Sequence, residues 1–161
     1  MVSVRRVVTG RSAGQAARVT ADGAAPVIGM DGYPGVEIAR LWSTEGRGEL
    51  DGSGLEGDRS SADFYPPAGG TRFVRITYPP GFGASDADSG DSRFARLLMH
   101  RTATVDYGVV LAGELTLVLE DGSETALRAG DVIVQNGVVH GWRNTTQAAA
   151  VAAFVLVGYS S

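Results

Sequence analysis

From residue 94 to the end, the chain is cut at near-regular intervals by small turn dipeptides: Ala112-Gly113, Asp121-Gly122, Ala129-Gly130 and Asn136-Gly137. The runs between them are short, apolar and β-prone. That punctuation leaves no room for helices and fits a meander that closes into a sandwich or barrel. Side-chain alternation agrees: Leu115, Leu117 and Leu119 fall on one face, and Thr116, Val118 and Glu120 on the other. Asp121-Gly122 suits a tight type I′ hairpin, in which both central residues take positive φ. No helical periodicity of useful length and no internal repeat interrupts this reading, so the chain is all-β.

The N-terminal half is less regular. Val2–Val8 and Ala16–Thr20 are short β-prone runs, and Ala21-Asp22-Gly23 carries turn chemistry, so residues 1–25 are expected to form a hairpin arm. Val36–Ser43 is a further expected strand. Residues 44–70 are rich in Gly, Ser, Asp and Pro and read as one long loop. A loop of that length in a compact domain is either functional, here as a lid, or a solvated insertion. Within it Gly52-Ser-Gly54-Leu-Glu-Gly57 spells a dinucleotide fingerprint, but no strand leads into it and no helix follows. Thr71–Tyr78 alternates cleanly, with Phe73 on one face and Val74 and Ile76 on the other, and Pro79-Pro80-Gly81 ends it. Asp86, Asp88 and Asp91 do not make a calcium loop, because Leu97 stands where the closing glutamate belongs. The organisation expected is an N-terminal strand arm and Gly-rich loop over 1–69, packed on a barrel formed by 70–161, as one structural domain.

Length and charge narrow the function classes. The chain has 161 residues, enough for a real core, and a net charge of −4. It has no basic stripe interleaved with aromatics, so nucleic acid is not an expected partner. Cysteine is absent, which removes disulfides and thiolate nucleophiles. Two arginines in MVSVRRVVTG stand where a secretory signal needs an apolar core. The longest apolar run, Ala148–Val157, is shorter than the roughly 20 residues of a membrane helix and reads as a last buried strand. A cytoplasmic protein without a membrane partner is expected.

The chain holds two histidines. His100 lies in Leu98-Met-His-Arg-Thr-Ala-Thr-Val-Asp-Tyr-Gly108, which alternates so that Leu98, His100 and Thr102 share a face. His140 lies in Gly130-Asp-Val-Ile-Val-Gln-Asn-Gly-Val-Val-His-Gly-Trp-Arg-Asn144, three residues after a glycine turn. The second stretch resembles the second conserved motif of the cupins, with Gly130, Gly137, His140 and Asn144 in its slots and Gln135 or Asn136 in place of the turn proline. The first resembles the first cupin motif, but reads His100-x-Thr102-x3-Asp106-x6-Gly113. Two of the three metal ligands of that motif are therefore changed. The resemblance covers roughly residues 70–158 and implies a cupin-type double-stranded β-helix, a jelly-roll barrel with the N-terminal strand arm attached.

By that resemblance His100, Thr102, Asp106 and His140 all point into the barrel. Polar groups on an inward face are costly unless paired or wetted, so the set implies either a ligand site or an internal hydrogen-bond network. Asp106 either caps the bend before Tyr107-Gly108, orients a histidine or accepts a proton. His100, Asp106 and His140 form the expected catalytic set. Thr102, Tyr107, Gln135 and Trp142 are the expected substrate-binding residues, although Tyr107 and Asp106 should face opposite sides of a regular strand. Histidine titrates near neutrality and serves as acid or base. The expected chemistry is metal-independent: a lyase, isomerase or cyclase, dehydratase-like, acting on a small secondary-metabolite or polyketide-like molecule, with no cofactor. The alternative is that the same two histidines and carboxylate hold one iron or zinc ion in an oxygenase or isomerase. A non-catalytic ligand carrier is the third reading. A homodimer is what the resemblance and the β-rich arm imply.

Overall fold

The computed structural model describes residues 3–12, 14–46, 63–83 and 99–160. The described residues form eleven strands and no helix, so no helix is long and apolar enough to cross a membrane. The core of the fold is a six-stranded antiparallel sheet in the order β3-β4-β5-β11-β6-β9. Its members are β3 (Val27–Met30), β4 (Tyr33–Thr44), β5 (Thr71–Tyr78), β11 (Ala150–Gly158), β6 (Thr104–Ala112) and β9 (Val132–Asn136). A three-stranded sheet, β10-β7-β8, faces it, built from β7 (Glu114–Leu119), β8 (Glu124–Arg128) and β10 (His140–Arg143). Alternation decides which side chains fill the space between. On β11, Ala152, Phe154 and Leu156 turn inward, and Leu115 and Leu117 of β7 meet them from the facing sheet.

Thr71–Tyr78 falls where its alternation predicts, with Val74 buried and Phe73 exposed. Asn144 closes one end of the barrel. Its Nδ2 donates to the carbonyls of Tyr78, Pro79 and Ala148 at 3.2, 3.0 and 2.8 Å, and its Oδ1 accepts from the Thr146 hydroxyl at 2.8 Å. One fully buried amide thus ties the end of β5 to the turn before β11.

Four features differ from the sequence reading. The arm is a hairpin of β1 (Arg5–Gly10) with β2 (Arg18–Ala24), but Ala21-Asp22-Gly23 lies inside β2 rather than at the turn. Asp22 is held there by Arg5, whose guanidinium donates to both carboxylate oxygens at 2.7 Å. Residues 27–44 are not part of an arm. They form β3 and β4, and β4 pairs with β5 from Glu37↔Thr77 to Thr44↔Thr71, so a division at 69/70 would cut one continuous sheet. The hairpin at Asp121-Gly122 is not type I′, because Asp121 does not take a positive φ. Instead the Gly122 amide donates to the Leu119 carbonyl at 3.0 Å and Gly122 takes φ 81°, a type I turn followed by a left-handed glycine. Finally, His100 precedes the regular strand. It makes an isolated bridge to His140, and β6 begins only at Thr104.

The fingerprint at 52–57 and the aspartates at 86, 88 and 91 lie outside the described residues, as does most of the proposed lid. Its last part is described. The Gly69 amide donates to the Gly158 carbonyl, and the Gly158 amide donates to Gly70, both at 2.9 Å. A Cβ at Gly158 would overlap the Pro67 carbonyl, so only glycine permits this docking. Buried Arg72 adds a second anchor. It donates to the Asp63 carbonyl at 3.3 Å and the Thr44 carbonyl at 3.0 Å, and pairs with Glu45 at 3.0 Å.

Candidate active site

Between the two sheets lies a cavity of about 160 Å³. Its walls are mostly aromatic: Tyr33, Phe64, Tyr65, Tyr78, Phe82, Trp142 and Phe154, with Met30, Ile76 and Leu156. Four polar side chains enter this apolar space: His100, Asp106, Gln135 and His140. Each arrives by a definite backbone route. His100 and His140 exchange two backbone hydrogen bonds of 2.9 Å, which places them directly opposite one another with both rings on the same face. Their ring centroids are 4.5 Å apart. Asp106 on β6 and Gln135 on β9 are likewise register partners, so they too project side by side.

His140 is buried, and its Nδ1 lies 3.0 Å from the Val138 carbonyl. A carbonyl only accepts, so Nδ1 carries the proton and Nε2 is left as the acceptor in the neutral ring. Burial holds the His140 pKa below its ordinary value, outweighing the Val138 bond. His140 is therefore a neutral base at physiological pH. Burial acts in the opposite sense on Asp106 and pushes its carboxyl up, against the Thr104 hydroxyl and the two histidines, which favour the ionised form. The Tyr65 phenol is also pushed up, chiefly by burial and then by the nearby Asp106.

The sequence-predicted residues separate into two groups. His100, Asp106, His140, Gln135 and Trp142 converge on the cavity. Tyr107 does not: it is 52% exposed on the opposite face of β6. Strand alternation next to an inward Asp106 forces that outcome. Thr102 does not line the cavity either. Its hydroxyl lies 2.6 Å from that of Thr104, which favours the ionised form of Asp106, so Thr102 acts on the carboxylate from behind. For His140 the tautomer is fixed by the Val138 carbonyl rather than by Asp106. Sequence reasoning missed the aromatic walls. Tyr65 stands with its ring 6.4 Å from that of His100, carried in by a segment whose composition reads only as loop. The Phe64-Tyr65 pair within a polar stretch was the available signal.

The same donors bear on a metal ion. Among the described residues no three His, Cys, Asp or Glu side chains converge to hold one. Thr102, in the slot of a cupin ligand, is committed to Thr104, and the Val138 carbonyl holds Nδ1 of His140, leaving Nε2 as that ring's acceptor.

Comparison with known proteins follows the same line. The family profile described as "Cupin domain" matches residues 88–157. Phomopsin biosynthesis cluster protein C' of Diaporthe leptostromiformis is 56% identical over 52 residues, 32% of this chain and 28% of that protein. Cupin-domain-containing oxidoreductase virC of Hypocrea virens is 46% identical over 48 residues, 30% of this chain and 25% of that protein. The matched region thus spans about a quarter of the length of these relatives. A solved structure assigned to ethanolamine utilisation in Salmonella typhimurium aligns over 99% of this chain and 100% of that one, with a TM-score of 0.50 and 14% identity, and so shares its fold. Motif and family profile agree over residues 88–157, which match the cupin domain, and the all-β architecture is a cupin-type barrel fold.

Proposed function

We propose that this cupin is a small-molecule enzyme of secondary metabolism that works by metal-independent proton transfer beside a carbonyl, as a lyase, isomerase or cyclase. One observation carries this reading: a buried imidazole with its tautomer fixed presents Nε2 inside an aromatic-lined cavity, next to a second imidazole. His140 takes the proton from carbon. His100, with its ring 4.5 Å away, exchanges that proton onward. A neutral base near the operating pH is what general-base catalysis requires, and desolvation strengthens each interaction inside. The relatives named for biosynthesis clusters support the secondary-metabolism setting.

The test is proton exchange. In D2O, the protein is expected to catalyse deuterium incorporation next to the carbonyl of 4-phenylbutan-2-one, read by NMR, with the rate unchanged after dialysis against a chelator. His140→Ala is expected to remove the catalysis. Exchange that disappears with chelation sinks the metal-independent reading, and exchange that survives His140→Ala sinks the assignment of the base. A second reading, an oxidoreductase, is favoured by the names of several relatives, virC among them. Stoichiometric iron or zinc in the purified protein, together with oxygen uptake, would favour it.

A further inference from the structure

Two buried polar atoms in the cavity have no hydrogen-bond partner: Asp106 Oδ1 and Gln135 Nε2. Both side chains are more than nine-tenths buried, and both belong to cavity-lining residues that face each other across β6 and β9. Leaving such groups unpaired is costly, and native proteins leave few of them without a reason. The two are chemically distinct. The Gln135 amide nitrogen only donates, so its missing partner is an acceptor such as a carbonyl oxygen. The Thr104 hydroxyl favours the ionised Asp106, and Oδ1 is left without a partner, a position that suits a ligand hydroxyl. Volume and walls limit the rest of the ligand. A cavity of about 160 Å³ encloses one six-membered ring, about the capacity of an engineered 150 Å³ cavity that takes up benzene, and its aromatic lining suits a planar, uncharged ring.

Resting on the acid–base reading above, we propose that the substrate is a β-hydroxy carbonyl compound carrying one aromatic ring, and that the reaction is loss of water: Gln135 binds the carbonyl, Asp106 faces the hydroxyl and His140 faces the carbon between them. The step balances without a redox partner. His140 Nε2 takes the proton from the carbon next to the carbonyl. The electrons of that C–H bond form the new C=C bond, and the C–O bond breaks with its pair on oxygen. The departing oxygen takes the proton of the Asp106 carboxyl and leaves as water. Imidazolium and carboxylate then exchange the proton and restore the starting state. Gln135 stabilises the negative charge that builds on the carbonyl oxygen during abstraction.

The probe is 4-hydroxy-4-phenylbutan-2-one, whose dehydration gives a conjugated enone followed by ultraviolet absorption. Wild-type protein is expected to produce the enone. Gln135→Leu is expected to lower kcat/KM about 100-fold, the usual loss for one such donor. Asp106→Asn is expected to lower it by about 100-fold or more. The acetate ester of the probe has a leaving group that needs no proton, so it should restore turnover in Asp106→Asn but not in Gln135→Leu. A binding arm needs no variant: the wild-type protein should bind 4-phenylbutan-2-one more tightly than butylbenzene by about tenfold, read from tryptophan fluorescence. Deuterium exchange without enone formation, equal binding of ketone and hydrocarbon, or equal rescue of both variants by the ester overturns the substrate assignment and leaves the acid–base reading standing. Absence of both exchange and elimination overturns the two together.

Discussion

Replacing Asp106 by asparagine should make the protein more stable at alkaline pH while removing its chemistry. Asp106 is 8% exposed, and one of its oxygens has no partner. An unpaired buried polar oxygen costs about 1–3 kcal/mol, and more when charged. The substitution keeps the shape and an acceptor for Thr104, and discards the charge. A gain of about 1–2 kcal/mol follows, which for a chain of this size raises Tm by roughly 3–6 °C. The pH dependence carries the sharper test. Burial raises the native pKa above the ordinary 3.8, so the folded chain binds this proton more readily than the unfolded one. Stability from that proton is fully present below 3.8 and is lost as pH rises through the raised native value. The advantage of asparagine should therefore be largest at a pH above the raised native value and shrink toward zero on acidification. Differential scanning calorimetry of both proteins at pH 9 and pH 4 measures it. A lower Tm for Asp106→Asn at pH 9, or a difference that does not change with pH, would refute the reasoning.

Further outcomes are expected. His140→Ala should reduce turnover at least about 100-fold, the contribution typical of a general base, with the far-ultraviolet circular dichroism unchanged. The wild-type rate should fall on acidification through a pKa below 6.5, because burial keeps His140 neutral until then and protonation removes the base; a limb at or above 6.5 contradicts this. Asn144→Ala strips three carbonyls of their donor and should cost about 3 kcal/mol or more in urea denaturation. Leu115→Ala, in a fully buried position, should cost about 2–5 kcal/mol in the same assay.

The half of the chain after residue 94 was legible because alternation and glycine turns are local signals. They gave β7 and β11, while the five residues that meet in the cavity came from the resemblance to the cupin motifs. What escaped was set by partners far away in sequence. β4 joins the large sheet because its register matches β5, and nothing near Tyr33 announces that pairing. Thr102 occupies the slot of a cupin ligand, yet a neighbouring hydroxyl claims it, which spacing alone does not reveal. Tyr65 reaches His100 only because the segment behind it is docked to the far end of β11. Tyr107 was the avoidable error, since period-two alternation beside Asp106 already sends it to the outer face.

The docking at Gly158 has one more implication. Two reciprocal main-chain bonds and a glycine fix the segment that carries Tyr65, independently of any side chain upstream of Asp63. Relatives could therefore lengthen, shorten or rewrite the preceding stretch while the roof tyrosine keeps its seat. Substrate range would then evolve in that stretch, and the proton-handling floor beneath would be inherited untouched.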